Sequence, residues 1–204
     1  MNAGGRDPRD AAPSPLGRVV DAAKFDVVAA ERAALELLRA IGADVDAPGL
    51  LGTPRRVAAA FAELITPAEF VATSFPNEGH YDELVLVRDI PFHSLCMHHL
   101  LPFHGRAHVA YLPAEKIIGI SKLARVVEAF SRDLQLQERL TVQIADWLEQ
   151  ELSPRGAGVV LSAEHMCMTI RGVRKPGAQT VTSSLRGTLR DDPRTRQELF
   201  SLVG

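Results

Sequence analysis

The order of the predicted elements indicates an α+β fold with one main domain. Two strands are expected between residues 84 and 112, two helices between residues 121 and 152, and two more strands between residues 158 and 189. Two strand pairs separated by a helix pair are typical of a largely antiparallel sheet. The chain has 204 residues, 46% of them hydrophobic, and so it is long enough to bury a sizeable core.

The N-terminal part is expected to be a flexible tail followed by helices. Residues 1–16 are small, polar and proline-bearing, so they cannot bury enough apolar surface to offset the entropy of ordering. Asp26 can cap a helix that runs to about Ile41, with a partial apolar stripe. Thr53 and Pro54 together supply a capping hydroxyl and a first-turn proline, which predict a second helix.

From residue 83 the hydrophobic pattern changes from the helical period to that of strands. Strands are predicted at residues 84–87 and 106–112, and a short one at residues 116–120 leads to a helix capped by Ser121. Apolar residues then recur at the i, i+3, i+4, i+7 spacing of a buried helix face. These are Leu123, Val126, Val127 and Phe130.

The C-terminal part contains a second long helix and a second strand pair. The helix is predicted at about residues 137–152, followed by strands at residues 158–170 and about 180–189, and Asp192 and Pro193 begin a last short helix. Alternate side chains of a strand share one face. The pattern therefore predicts that His165, Cys167 and Arg171 point the same way.

Composition narrows the classes of function. The formal net charge of −2 argues against a general nucleic-acid or anionic-membrane surface, so an anionic ligand would need a local basic cluster. No apolar run reaches the roughly 18 residues of a membrane span, and the N-terminus lacks the pattern of a secretion signal. We therefore expect a cytoplasmic protein that binds a small molecule.

Both cysteines of the chain lie beside histidines. Cys96 is followed by His98 and His99, and Cys167 follows His165 by two residues. Two thiols and three imidazoles in two short segments are the composition of a borderline-soft metal site, for which zinc is the first candidate. The alternatives are a disulfide between the two cysteines and histidines that bind nothing.

The number of ligands separates a structural metal site from a catalytic one. A structural zinc would use both cysteines and two histidines, whereas a catalytic zinc keeps three protein ligands and one open position. Three histidines are more than a Cys2His site requires, and the spare imidazoles are candidates for acid and base. The number of histidines therefore favours a catalytic zinc site over a structural one.

Two further segments could contact a nucleotide. Ser121, Lys122 and Arg125 stand at a predicted helix N-terminus, which attracts anions, although an ordinary solvated basic face explains the spacing as well. Gln137 and Glu138 begin the next helix. A carboxylate and a neighbouring amide can bind a purine edge, but an acidic residue in a first turn is also ordinary capping chemistry.

Four motifs, in order along the chain, resemble those of GTP cyclohydrolase I. They are Ser94-Leu-Cys-Met-His-His-Leu-Leu-Pro-Phe103, Gly119-Ile-Ser-Lys-Leu-Ala-Arg125, Gln135-Leu-Gln-Glu-Arg-Leu-Thr141 and His165-Met-Cys-Met-Thr-Ile-Arg-Gly172. The resemblance extends over roughly residues 25–203. Four motifs in the same order rarely match by chance.

The resemblance implies the tunnelling fold, an antiparallel β-sheet with helices packed on one face whose subunits form an oligomeric barrel. Together with the expected tail at residues 1–16, it divides the chain into an N-terminal helical region at residues 17–80 and a tunnelling-fold catalytic domain at residues 81–204. The implied assembly is a homodecamer of two stacked pentamers, with active sites at subunit interfaces.

Carried over position by position, the resemblance makes Cys96, His99 and Cys167 the zinc ligands. His98 and His165 are then left for proton transfer, with Ser121 as a third catalytic residue. The residues implied to bind substrate are Ser121, Lys122, Arg125 and Arg171 at the triphosphate and sugar, Arg56 from a neighbouring subunit, and Gln137 and Glu138 at the guanine ring.

The implied reaction is hydrolysis of GTP at C8, followed by rearrangement to 7,8-dihydroneopterin triphosphate and release of formate. His165 would protonate the imidazole nitrogen as the ring opens, and the later proton transfers on the ribose suit His98, His165 and Ser121. Glu138 anchors the substrate and does not react. This is the first step of pterin and tetrahydrofolate biosynthesis.

The chain departs from the family pattern at two positions. Family members usually have glutamate where Met97 stands, and a basic residue where Ala59 stands. Neither position is an implied zinc ligand, but both bear on the rate and on whether the pathway served is folate or a specialised metabolite. The rival hypotheses are a catalytically idle zinc-binding relative and a thiol redox protein.

Overall fold

The computed structural model describes residues 18–69 and 71–204. The tail expected at residues 1–16 lies outside the described residues. The described chain is an α+β structure with two sheets and seven α-helices. None of the helices in this part of the chain combines the length and the apolar character that a membrane span requires.

The first two helices form a hairpin. Helix α1 spans Val27–Ala40, and the carboxylate of Asp26 accepts a hydrogen bond of 2.9 Å from Ala29 N, so the predicted cap is confirmed. Helix α2 spans Thr53–Ile65. Its cap was predicted one residue too late, because Gly52 is the N-cap and the Thr53 hydroxyl accepts from Arg56 instead.

The apolar stripe expected on α1 is largely solvent-exposed within one chain. Val28 and Ile41 are 66% and 70% exposed, and Ala34 is the buried residue of this helix. The two helices pack mainly on each other. Apolar residues such as Val28 and Ile41 therefore remain open to solvent in the single chain.

A short N-terminal segment ties the helical hairpin to the sheet. The backbone N–H groups of Val19 and Val20 each donate to the buried carboxylate of Asp133 at 2.9 Å. The guanidinium of Arg18 donates to the carbonyl oxygens of Ile65, at the end of α2, and of Arg132. Asp133 also accepts from Leu134 N at 2.8 Å, so its two oxygens serve three donors.

The main sheet has five strands in the order β5-β2-β3-β6-β7. The strands are β2 (Val85–Cys96), β3 (Pro102–Leu112), β5 (Leu134–Gln135), β6 (Gly156–His165) and β7 (Thr180–Gly187). The pairs β2–β3, β3–β6 and β6–β7 are antiparallel, whereas β2 and β5 are parallel, so the sheet is mixed. A second sheet pairs β1 (Ser74–Pro76) with β4 (Lys116–Ile118).

Two helices cover one face of the main sheet. They are α3 (Ile120–Ser131) and α4 (Gln137–Leu152), and the predicted stripes of both helices are buried in the main core. The expectation that all helices lie on one face is wrong, because α7 (Pro193–Val203) packs on the opposite face at one end. There Leu199 contacts Ala110 and Leu112, which alternate with the core residues Val109 and Tyr111 of β3.

Two predicted strands end earlier than expected. Strand β6 stops at His165, and residues Met166–Thr169 form a single helical turn, α5. Strand β7 stops at Gly187, whose φ of +54° turns the chain into the short helix α6, Thr188–Asp191. A four-residue turn is too short to show a helical period in the sequence, which is why both segments were predicted as strand.

The two central strands approach each other unusually closely at Gly105. An added Cβ there would lie 1.9 Å from the carbonyl oxygen of Ser162 on β6. Gly105 pairs with Ala163 in the register that also places Phe103 opposite His165. Glycine at this position therefore sets the spacing of the sheet next to the candidate site.

Candidate metal centre and active site

The first half of the cysteine and histidine cluster is a tight turn between β2 and β3. Cys96 is the last residue of β2, and its carbonyl oxygen accepts hydrogen bonds from His99 N and Leu100 N. Leu100 adopts a φ of +55°, and Cys96 N donates to Leu101 O at 2.9 Å. The turn brings Cys96 Sγ to 3.7 Å from His99 Nδ1.

The second half arrives from β6. Phe103 near the start of β3 is opposite His165, the last residue of β6, so both strands end beside the turn that carries Cys96. The helical turn α5 then places Cys167 at the cluster. One ligand atom from each of Cys96, His99 and Cys167 lies within 4.8 Å of the others. The sequence grouped these residues correctly, although not through a shared strand face.

The spacing and chemistry of these atoms fit a metal ion. In a tetrahedral zinc site a sulfur and a nitrogen ligand are about 3.6 Å apart, close to the 3.7 Å between Cys96 Sγ and His99 Nδ1. Burial, and next the charge of the neighbouring Cys96 thiol, raise the pKa of Cys167. Two thiolates this close repel each other, and a cation between them removes the repulsion. The group could therefore bind a metal.

His165 lies beside the cluster in a defined orientation. Its Nε2 is 2.8 Å from Gln137 Oε1, and its ring stacks on Phe103 with a centroid distance of 4.5 Å and an interplanar angle of 1°. Burial lowers the pKa of His165, and the carboxylate of Glu138 acts in the opposite direction. The described contacts of His165 therefore come from α4 and β3, and the ring is half-buried rather than free in solvent.

The other predicted site residues at the Cys96 end of β2 differ in exposure. His98 is exposed and packs edge-on against the ring of His99 at 6.1 Å. Glu138 is exposed in the first turn of α4, while Gln137 beside it is buried. Arg171 is exposed in the loop after α5 and favours the charged thiolate of Cys167, although weakly.

The predicted anion-binding residues lie at the N-terminus of α3. The N-cap is Gly119, not Ser121 as predicted, and no side chain caps this end. Ser121 is exposed and Lys122 is half-buried. Arg125, one turn later, lines a cavity of about 780 Å³ between α3 and the strands β2, β3 and β6. The other charged or titratable residues that line this cavity are His93, His104, Arg106, Glu128, Arg132 and Glu164.

Within one chain this anion site lies far from the metal donors. The C-terminal end of α3 is the end next to Cys96, because Ser94 Oγ donates to Asp133 O at 3.2 Å and Cys96 pairs with Gln135. Helix α3 has 12 residues and is therefore about 18 Å long. Its N-terminus, with Lys122, is displaced by about that length from the cysteines.

The opposite end of α3 confirms this placement. Ile118, just before the helix, donates its N–H to the hydroxyl of Tyr111, and Tyr111 is opposite Val85, the first residue of β2. Cys96 is the last residue of the same strand. The N-terminus of α3 and the metal donors thus lie toward opposite ends of β2. Arg56 lies at the start of α2 and donates to Gly49 O and Thr53 Oγ1.

Sequence reasoning missed two residues that hold the site together. Phe103 stacks on His165, and a correct β3–β6 register would have revealed it. Thr182 on β7 accepts from Gln137 Nε2 at 3.1 Å, and no motif marks it. Phe103 contacts His165 and Thr182 contacts Gln137, and the sequence had identified both His165 and Gln137 as site residues.

Comparison with known proteins identifies the family. The GTP cyclohydrolase I family model matches residues 30–204. The GTP cyclohydrolase 1 of Bacillus subtilis (strain 168) is 54% identical over 179 residues, which cover 85% of this chain and 93% of that protein. The GTP cyclohydrolase 1 of Pelotomaculum thermopropionicum is 51% identical over 185 residues, covering 88% of this chain and 97% of that protein.

A third relative agrees, and a solved structure gives a more distant match. The GTP cyclohydrolase 1 of Aquifex aeolicus is 54% identical over 166 residues, covering 81% of this chain and 90% of that protein. The apo form of the archaeosine synthase QueF-Like has a TM-score of 0.43 and 16% identity, over 51% of this chain and 93% of that chain. From the family match and the three relatives, this chain belongs to the GTP cyclohydrolase I family.

Proposed function

We propose that the chain hydrolyses GTP at C8 and rearranges the product to 7,8-dihydroneopterin triphosphate, releasing formate, as the first step of pterin and tetrahydrofolate biosynthesis. The observation that carries this proposal is the convergence of Cys96, His99 and Cys167, with His165 held beside them. Membership of the GTP cyclohydrolase I family supports the choice of GTP as substrate.

Zinc is the proposed metal, held by Cys96, His99 and Cys167. Two thiolates and one imidazole suit this borderline-soft ion, and a three-ligand site leaves one position open. Zinc bound there would supply Lewis-acid activation of water. His98 and His165 lie next to these ligands without being needed as ligands themselves.

The remaining residues of this part of the site would bind the base and move protons. The exposed carboxylate of Glu138 is suited to accept two N–H groups of a guanine ring. The half-buried His165, whose pKa is lowered by burial, is neutral near pH 7 and can accept or return a proton. His98 is the second candidate for proton transfer. Ser121, which lies at the other end of β2 within one chain, is the third and would come from a neighbouring subunit.

The triphosphate would be bound by residues of more than one subunit. Lys122 lies at the opposite end of β2 from Cys96, whereas Arg171 lies in the loop after Cys167, so one chain brings only part of the proposed phosphate-binding set to the metal donors. The proposed phosphate ligands are Ser121, Lys122, Arg125 and Arg171, with Arg56 from a further subunit. A site formed between subunits would bring these separated residues together, as their occurrence in the GTP cyclohydrolase I motifs requires.

Two unpartnered surfaces of the described chain support an assembly. Strand β5 pairs with only the last two residues of β2, which leaves an open edge along most of that strand, and β7 forms the other edge of the sheet. Open edges can pair between subunits into a barrel. The hairpin of α1 and α2 also exposes Leu37 and Leu51, which are 61% and 67% exposed. We propose a homodecamer of tunnelling-fold subunits, with residues 81–204 as the catalytic domain.

The test is incubation of the zinc-loaded protein with GTP. Formate is assayed directly, and the pterin is detected by fluorescence after oxidation. Stoichiometric formate and pterin are expected. Zinc uptake without either product would show a catalytically idle member of the family, and a mass change of two hydrogens on oxidation would instead favour the redox hypothesis.

A further inference from the structure

The side-chain amide of Gln137 has a fixed orientation. Gln137 is 1% exposed, and its Nε2 lies 2.8 Å from Thr180 O and 3.2 Å from Leu161 O. Backbone carbonyl oxygens only accept hydrogen bonds, so the amide atom that faces them must be the nitrogen. The amide oxygen therefore faces outward, toward His165.

A chain of hydroxyl groups supports the same orientation. Thr141 Oγ1 donates to the carbonyl oxygen of Gln137 at 2.7 Å, which uses its only hydrogen. The 2.7 Å contact between the hydroxyls of Thr141 and Thr182 must then be donated by Thr182. The oxygen of Thr182 is left to accept from Gln137 Nε2, at 3.1 Å. The two hydrogens of Gln137 Nε2 are thus shared among three acceptors, the Thr182 hydroxyl and the carbonyl oxygens of Leu161 and Thr180.

The orientation of the amide determines the tautomer of His165. Gln137 Oε1 lies 2.8 Å from His165 Nε2, and an amide oxygen can only accept, so Nε2 carries the hydrogen. In the neutral ring the lone pair is then on Nδ1. Stacking on Phe103 fixes the plane of the ring. Among residues 18–69 and 71–204, Gln137 is the only side chain that hydrogen-bonds this ring.

We propose that Gln137 is a positioning residue that holds His165 in the Nε2–H tautomer, so that Nδ1 is the atom that exchanges protons with the substrate. This inference rests on the proposed cyclohydrolase function. Neutral His165 takes a proton at Nδ1, keeps its Nε2–H bonded to Gln137 as an imidazolium, and returns a proton from Nδ1. The guanine contact that the family resemblance assigns to Gln137 is left to Glu138, because the amide hydrogens of Gln137 already bond inside the chain.

The first test separates a positioning role from guanine binding. Gln137→Met keeps the size of the side chain but removes both hydrogen-bonding ends. We expect kcat to fall about 10- to 100-fold, as is typical when the orienting partner of a catalytic group is lost, with the Kd for GTP and the zinc content unchanged. A Kd raised about tenfold or more with kcat retained would overturn the proposal in favour of guanine binding.

A double-mutant cycle tests whether the effect passes through His165. In the His165→Asn background, Gln137→Met should cause no further loss of kcat, because the residue it positions is absent. The same fold-loss in both backgrounds would overturn the proposal. Gln143→Met is the matched control, since it removes another buried glutamine of α4 while Gln135 keeps Phe130 O as an acceptor.

Two further outcomes complete the test. If Gln137→Met does not fold, Gln137→Glu replaces it, because a carboxyl oxygen can still accept from His165 Nε2; kcat should stay at least tenfold above that of His165→Asn. An equal kcat in the two variants would overturn the proposal. A wild-type enzyme that releases no formate overturns the proposed function itself, whereas an active wild type with an additive cycle overturns only the positioning role.

Discussion

The two ends of strand β2 differ in how completely one chain builds them. At the Cys96 end, a single chain brings the three metal donors within 4.8 Å of one another and holds His165, two residues before Cys167, against Gln137 and Phe103. At the Val85 end, Ser121 and Lys122 lie at a helix N-terminus without a side-chain cap, at the opposite end of β2 from Cys96. Under the proposed function, the chemistry at C8 of GTP therefore needs only one folded chain, whereas recognition of the triphosphate needs the proposed assembly.

The strongest test of the Cys96 end is the loss of a metal ligand. Cys167→Ser should lose zinc and reduce formate release to background, because a serine hydroxyl is a poor zinc ligand. Metal analysis and the formate assay are made on the same sample. Met168→Ser, at an exposed position of the same helical turn, is the matched control and should keep both. Full activity in a metal-free preparation of Cys167→Ser would refute the ligand assignment.

The next test separates metal binding from proton transfer by His165. His165→Asn should retain zinc and bind GTP, while kcat falls by about 10²- to 10⁴-fold, the usual contribution of general acid–base catalysis. Zinc content, GTP affinity and turnover are measured together. Loss of one zinc per subunit would instead make His165 a ligand, and the Cys96 end would then need four protein ligands.

The Val85 end is tested with a phosphate-binding variant. Lys122→Ala should raise the KM for GTP about tenfold or more, and should hardly change binding of guanosine, which has no phosphate. Competition by guanosine against GTP measures the second quantity. An equal effect on both ligands would show that Lys122 does not act through the triphosphate.

Mixing variants tests whether the two ends meet between subunits. When Lys122→Ala and His165→Asn proteins are unfolded and refolded together, intact sites should form wherever a wild-type Val85 end faces a wild-type Cys96 end. Activity at low GTP should then recover to about a quarter of the wild-type rate for random two-subunit sites. Activity that never exceeds the sum of the separate variants, or a fully active monomer in sedimentation, would refute the shared site.

The link between the N-terminal helices and the sheet predicts an effect on stability. Asp133→Ala leaves the partly buried N–H groups of Val19, Val20 and Leu134 without their acceptor. The free energy of unfolding should fall by about 2 kcal/mol or more, measured in denaturant. Asp191→Ala is the control, since that carboxylate is exposed and pairs only with its neighbour Arg190. Equal stability of the two variants would refute the structural role of Asp133.

The smallest expected effect is on the pH dependence of the free energy of unfolding. Burial lowers the pKa of His108, whose Nδ1 accepts from Asp89 N at 3.3 Å; nearby Asp89 opposes the shift and Arg88 adds to it. Because the pKa is lower in the folded state, the unfolded state binds more protons, and stability should fall as pH decreases below about 6.5. His108→Gln should flatten this dependence of the unfolding free energy between about pH 7 and 5. An unchanged slope would exclude His108 as its source.

The sequence predicted those parts of the structure that repeat a pattern over several turns. Helix α4 begins and ends where its apolar period does, and the stripe of α3 is buried as expected. The grouping of Cys96, His99 and Cys167 was also predicted, because the donor types indicated a metal site and the resemblance to GTP cyclohydrolase I selected these three residues. Short features were missed: the helical turn α5 has four residues, too few for a period to appear.

Contacts that depend on strand register were not predictable from local patterns. The stacking of Phe103 on His165 and the hydrogen bond from Gln137 to Thr182 join residues that are 45 or more positions apart in the sequence. The placement of Lys122 away from Cys96 also follows from topology, since both lie in family motifs that are close in the sequence. The residue types in each motif identified the candidate side chains, and the topology of the sheet determined which of these side chains lie next to one another.

Gly105 has a consequence for how this sequence can change over time. Any replacement of glycine adds a Cβ, and at this position that atom would lie 1.9 Å from Ser162 O. Strand β6 would have to move away from β3, and the Phe103–His165 pair lies only two residues further along the same register. Every mutation of this one codon that changes the amino acid therefore reaches His165 through the backbone, without replacing His165 or any of the three metal donors.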